Sequence, residues 1–288
     1  MKNYLFLRFS SLVLRRLPVP IGYFIACVVA DVVFFFSRRS KGAVMENLRR
    51  AVGTEDKQAL RRVAREVFRN LARNYFDLLR LPYFSLPELE QGLSIHGWDH
   101  FQEAVAAGRG VILATAHLGN FDFMAQLGVA RGYKMTVLVE PLTDHPQHRF
   151  MAQLRGSRGI SFLPLGTASL KRVVRELRSG GVVVVACDRG VGKKGVRVRF
   201  LGEEAMLPSG AVELALMTGA ALIPAFSVRE GRRRFSLFIE TPLPLAATGR
   251  DGHRVVENLE RLLAVVGEYI RRYPGQWVTM EPVWSGRG

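Results

Sequence analysis

The stretch Gly110-Val111-Ile112-Leu113-Ala114-Thr115-Ala116-His117-Leu118-Gly119-Asn120-Phe121-Asp122 decides how this chain is read. An apolar run is followed by a histidine, a Leu-Gly-Asn turn and the start of an amphipathic segment. The run reads as a buried strand. His117 then stands at the strand's carboxyl end, where open α/β sheets present residues to ligands. Asp122 lies five positions further on. Neighbours on one helix face are three or four apart, so a turn is needed to fold this carboxylate back onto the imidazole. In that arrangement Asp122 fixes the tautomer and His117 is the general base toward a hydroxyl. Asn120 is placed to cap a helix over residues 121 to 131, with Asp122 in its first turn, where the helix dipole favours an ionised carboxylate. The spacing alone favours a histidine that only satisfies a buried polar contact; strand, glycine turn and amphipathic segment together favour the catalytic reading.

Working outward, the runs Val111 to Ala114, Met135 to Val139, Ile160 to Phe162, Val182 to Cys187 and Ala221 to Phe226 alternate with amphipathic stretches. This alternation predicts an α/β fold, a mixed central sheet flanked by helices. The first ninety residues read as helical. Asp56 to Leu81 is the clearest case, with Leu60, Val63, Val67, Leu71, Tyr75 and Leu78 at helical spacing, arginines between them and Pro82 as the stop. No repeat, low-complexity tract or long linker divides the chain. Residues 1–90 are therefore expected to be a helical, membrane-associating portion, and residues 91–288 an α/β body integrated with it.

The membrane expectation rests on Val19 to Phe36, almost wholly apolar, with Lys2, Arg8, Arg15 and Arg16 before it and Arg38, Arg39 and Lys41 after it. Basic flanks suit a segment lying at an anionic membrane surface. Pro20, Gly22 and Asp31 argue against a span, since a charge at the bilayer centre costs about 2.5 to 3.5 kcal/mol on insertion scales. No Ala-x-Ala cleavage site follows, so the segment is expected to be retained. A buried core helix is the competing reading. The whole chain has 41 Lys and Arg against 25 Asp and Glu, a net charge of +16, which calls for anionic partners. A nucleic-acid binder would share that charge, but zinc-finger spacing and an aromatic RNA-binding signature are both missing, so no nucleic-acid partner is expected. Cys27 and Cys187 lie far apart within apolar runs, and His145 and His148 have no ligand constellation around them. Neither metal nor cofactor is expected, and a reducing cytoplasmic location fits.

A second segment, Asp188-Arg189-Gly190, also follows a strand-like run. Gly190-Val191-Gly192-Lys193-Lys194-Gly195 matches the three-glycine dinucleotide pattern by letter, but Val196 to Phe200 alternates with period two and reads as a strand, whereas a nucleotide fingerprint must open a helix. The residues fit a cationic loop better. Arg189, Lys193 and Lys194 cluster there, and Arg197 and Arg199 share one face of the next strand, all suited to phosphate or carboxylate oxygens. Each taken singly is more often a solvated charge, and Arg189, between Asp188 and Gly190 at the strand end, ranks first among the anion contacts. Pro208 and Ser209 stand near the start of a helix over Ala211 to Thr218, where backbone amides could hold an oxyanion or phosphate or simply shape a connection.

Together, His117 to Asp122, Asp188-Arg189 with its basic sequel, Phe200-Leu201-Gly202, Leu207-Pro208-Ser209-Gly210 and Thr218-Gly219-Ala220-Ala221 carry a resemblance, as do Glu46-Asn47-Leu48-Arg49, Tyr273-Pro274-Gly275-Gln276-Trp277 and Trp284. The chain resembles the bacterial lipid A biosynthesis (lauroyl/myristoyl) acyltransferase family, within the glycerolipid acyltransferase superfamily. The resemblance implies transfer of a fatty acyl group from an acyl carrier protein or acyl-coenzyme A donor to a hydroxyl of a glycolipid acceptor, at the cytoplasmic face of the inner membrane. His117 would be the base and Asp122 its orienter. Asn120, Asp188, Arg189, Lys193, Lys194, Arg197, Arg199 and Ser209 are the expected substrate contacts. The hydroxyl would attack directly, as no Gly-x-Ser-x-Gly nucleophile is present. Asp188-Arg189 departs from the Asp-Gln frequent among lipid A members and is similar to the phosphatidylinositol mannoside acyltransferase branch. A catalytically silent membrane scaffold is the rival reading, against which the intact His117 and Asp122 count.

Overall fold

The computed structural model describes residues 16–83, 87, 90–140, 146–190, 195–231, 234–246 and 251–284. Among the described residues three helices come first: α1 (Val19–Phe36), α2 (Arg38–Val52) and α3 (Lys57–Arg80). Helix α3 starts where the Asp56 side chain accepts a hydrogen bond from the Gln58 amide, and helix α2 ends on Gly53, whose φ of +70° is a left-handed stop suited to glycine. The α/β body follows. It comprises β1 (Leu93–His96), α4 (Trp98–Ala106), β2 (Val111–Thr115), α5 (Phe121–Ala130), β3 (Met135–Val139), α6 (Pro146–Gly156) and β4 (Ser161–Pro164). The chain continues through α7 (Thr167–Arg178), β5 (Val182–Ala186), β6 (Val196–Phe200), β7 (Glu203–Leu207), α8 (Gly210–Thr218), β8 (Ala221–Arg229), β9 (Phe235–Ile239) and α9 (Asp251–Arg272).

Seven strands form the central sheet in the order β1-β9-β8-β2-β5-β3-β4, while β6 and β7 make a separate hairpin. Neighbours are parallel except for β8 and β9, so the sheet is mixed, as expected. The chain leaves β2 toward β3 on one side and returns from β5 to β8 on the other. The carboxyl ends of β2 and β5 therefore flank the switch in strand order where open α/β sheets hold their ligands. Strands β2 and β5 are buried on both faces, hence their continuous apolar runs.

The amino-terminal helices pack on the body. Phe34, Val44, Leu48, Leu60, Val67 and Phe68 form a cluster with Val278 from the carboxyl-terminal segment. Helix α1 is buried along only part of its surface: Phe24, Val28, Val29, Val32, Phe35 and Phe36 are exposed, Phe24 at 70% and Phe36 at 73%. Asp31, which at a bilayer centre would be costly, faces α3, where Arg65 and Arg69 each bond both of its oxygens at 2.6–2.9 Å. Those hydrogen bonds hold its carboxyl well below the usual carboxylate range.

Candidate active site

Strand register assembles the site. Val111 to Thr115 pair with Val182 to Ala186, and the ladder continues through the Cys187 amide to the Thr115 carbonyl at 2.9 Å. Two residues beyond the last pair, His117 and Asp188 come level on adjacent strands. His117 Nδ1 lies 2.8 Å from Asp188 Oδ1. Asp188 is fully buried, and its second oxygen accepts from Trp277 Nε1 at 2.7 Å and from the Thr279 hydroxyl at 3.0 Å. Burial pushes this carboxyl up, but the His117 ring and the hydrogen bonds from His117 and Trp277 outweigh it and hold the group down at about 2. An ionised carboxylate only accepts, so Nδ1 carries the proton and Nε2 is left as the basic atom. The His117 side chain is 25% exposed, and its ring stands edge-on to Phe121 at 5.5 Å.

The expected pairing of His117 with Asp122 is not formed. Gly119, at φ +61°, turns the chain so that a side chain there would run into the Ser227 carbonyl, and α5 starts at Phe121 with Asp122 directed to α6. Asp122 instead meets Arg155, with Nε to Oδ1 at 2.8 Å and a hydrogen bond from the guanidinium to Oδ2 at 3.0 Å. It fastens α5 to α6, and the place beside the imidazole belongs to Asp188. Asp188 itself is no surface contact for a substrate, being closed in by His117, Trp277 and Thr279.

The other expected contacts divide similarly. Asn120 is 1% exposed and donates to Asp77 Oδ2 at 2.8 Å, so it braces the turn from inside. Arg189 is held by Glu140 and by Glu281 at 3.2 Å, its charge already matched by two carboxylates. Arg197 and Arg199 do share the outer face of β6, with Arg197 3.5 Å from Glu204. The Ser209 hydroxyl donates to Glu213 at 2.6 Å. Lys193 and Lys194 lie outside the described residues.

Residues the sequence reading left without chemistry hold the site from behind. Arg229, at the end of β8, donates to Asp77 Oδ2 at 2.8 Å, to Asn74 at 2.9 Å and to the Tyr23 hydroxyl, which in turn donates to Asp77. Asn74 donates to the Gly119 carbonyl, so this buried network runs from α1 through α3 to the turn after His117. Gln276 pairs its side-chain amide with both backbone groups of Arg229, at 2.7 and 2.9 Å. Asn47 anchors the segment that delivers Thr279, donating to the Glu281 carbonyl at 2.7 Å and accepting from the Val283 amide at 3.0 Å. None of these roles has a local signal, because each joins positions far apart in the chain.

Beside the imidazole, an apolar cavity of about 70 Å³, partly open to solvent, runs under α5 along one face of the sheet. Thr115 and Phe121 line it near His117, and Leu113, Val184, Ala225 and Leu237 line it further in.

A histidine base oriented by a buried carboxylate, at the carboxyl edge of an α/β sheet and next to an apolar pocket, defines a site equipped for proton abstraction from a hydroxyl near an aliphatic ligand. The chain matches, over residues 3–285, the family described as bacterial lipid A biosynthesis acyltransferase, and it belongs to that family. It is 33% identical over 193 residues to the phosphatidylinositol mannoside acyltransferase of Mycobacterium tuberculosis H37Rv, a match covering 66% of this chain and 59% of that relative. It is 30% identical over 210 residues to the Mycolicibacterium smegmatis enzyme of the same name, covering 70% of this chain and 67% of the relative. To the Escherichia coli K12 lipid A biosynthesis lauroyltransferase it is 26% identical over 219 residues, covering 73% and 68% respectively.

Proposed function

We propose that this protein transfers a fatty acyl chain from a thioester donor, acyl carrier protein or coenzyme A, to a hydroxyl of a lipid-linked sugar, with His117 as general base. The arrangement that carries this reading is the hydrogen-bonded series Trp277/Thr279–Asp188–His117 at the rim of an apolar pocket. In the reaction, Nε2 of His117 takes the proton as the acceptor oxygen bonds to the thioester carbonyl carbon. The carbon–sulfur bond then breaks, and the thiolate leaves with that proton. Asp188 stays ionised throughout, holding the ring and stabilising the imidazolium. The pocket under α5 takes the acyl chain. The exposed apolar face of α1 lies on the lipid surface, with Asp31 turned inward to Arg65 and Arg69, so the helix rests on the bilayer without crossing it.

This reading is tested by incubating the purified full chain with radiolabelled acyl carrier protein or coenzyme A thioesters and a lipid extract of its host, followed by mass spectrometry of the lipids. A glycolipid heavier by one acyl group is the expected product. Donor consumption without any acylated lipid, or no reaction with a folded protein, would contradict it.

A further inference from the structure

The apolar pocket has a defined depth. Thr115, Leu113 and Val111 lie on one face of β2, and in register with them on the neighbouring strands stand Val184 and Met135. Met135 pairs with Val182, which pairs with Val111, so it lies four strand residues below the level of Thr115, about 13 Å at the rise of a β-strand. The roof tells the same depth. Phe121, Ala125 and Gly128 line the pocket from α5 at helical spacing, and the seven steps from Phe121 to Gly128 span about 10 Å. At that level roof and sheet meet. A β-carbon on Gly128 would sit 2.1 Å from the Met135 sulfur, so the thioether rests directly against the bare backbone of α5. Trp98 and Phe101 line this same end of the pocket beside Met135 and, with Tyr133, close it as an interlocked aromatic group, with ring centroids 4.9 to 5.9 Å apart.

Resting on the acyl-transfer reading above, we propose that Met135 seated on Gly128 is the floor of the acyl pocket and sets the longest chain the protein accepts. Methionine is unbranched and flexible, so its removal opens space without unseating a β-branched neighbour. A methyl group on Gly128 would do the opposite. It pushes the thioether toward Phe121 and shortens the pocket. Each methylene that finds an apolar wall in place of water is worth about four-fold in affinity, so two carbons amount to about fifteen-fold.

The experiment has two readouts on the full chain, the Met135→Ala and Gly128→Ala variants and the unsubstituted protein. The first is binding of free fatty acids from decanoic to stearic, followed by displacement of a fluorescent fatty acid, which needs no turnover. The second is kcat/KM for the matching series of acyl-coenzyme A donors with host lipid extract. Met135→Ala is expected to move the optimum in both readouts about two carbons longer, with the longer chain gaining about fifteen-fold relative to the original optimum, and Gly128→Ala is expected to move it shorter. If both variants keep the original chain-length profile, or if no fatty acid binds, Met135 is not the floor. If the binding optimum moves as expected but no donor is consumed, the floor stands and the acyl-transfer reading falls.

Discussion

Asp188→Asn is expected to lower kcat for acyl transfer by about 10³- to 10⁴-fold while leaving donor and acceptor KM and the fold little changed. The carboxamide has the shape of the carboxylate but one accepting oxygen fewer. Trp277 Nε1 and the Thr279 hydroxyl both donate toward this position, so the amide oxygen turns to them and the NH₂ faces His117 Nδ1. Nδ1 must then accept, and the ring proton moves to Nε2, the atom that has to be free. The imidazolium also loses the adjacent negative charge. Because the folded pKa of Asp188 is depressed to about 2 from an ordinary value near 3.9, its contribution to stability is fully present above about pH 4 and is lost only as the pH falls through 2. Thermal unfolding of the variant near neutrality, measured beside the rate, separates any loss of that stability from the loss of catalysis. A rate within tenfold of the unsubstituted protein would show that Asp188 does not orient the base.

Arg229→Met is expected to destabilise the fold by about 3–5 kcal/mol and lower Tm by about 10 °C, read by thermal unfolding. Arg229 and Asp77 are 6% and 7% exposed at the side chain, and removing the guanidinium leaves a buried carboxylate with only Tyr23 and Asn120 as donors. Burial already pushes Asp77 up, so the variant must protonate it or open the packing to water. The paired variant Asp77→Leu/Arg229→Met should recover much of the loss, because no uncompensated charge remains. A Tm unchanged by the single substitution would mean that the network from α1 to the Gly119 turn does not hold the body together.

The alternation of apolar runs was enough to read much of the central sheet: β2, β3, β5 and β8 stand where Val111, Met135, Val182 and Ala221 open their runs, β6 of the hairpin opens at Val196, and α3 spans Lys57–Arg80 within the helix read from Asp56 to Leu81. Strands β1, β7 and β9 escaped that reading. The stretch Glu203–Leu207 opens on two glutamates, one of them half-buried, and is a strand because it zips onto β6, and Leu93–His96 is an edge strand whose partner β9 is some 140 residues away in sequence. His117 was legible because a histidine after a strand carries a local signal. Its partner was not, since the nearest acid in sequence, Asp122, lies on a helix start facing Arg155, while Asp188 reaches His117 only through the β2–β5 register. Trp277 stood in a recognisable motif whose role appears only when the Leu118–Trp277 bridge brings it under the sheet edge. The cationic reading of Arg189 missed Glu140 and Glu281 for the same reason: charge counts in sequence do not say which charges are already paired.

Whether His117 is the base is measured by acyl transfer with His117→Ala beside the unsubstituted protein, with matched folding checked by circular dichroism. Product is expected from the unsubstituted protein and a rate at least about 10²-fold lower from the variant, with donor binding retained. Transfer by His117→Ala at an undiminished rate would contradict it.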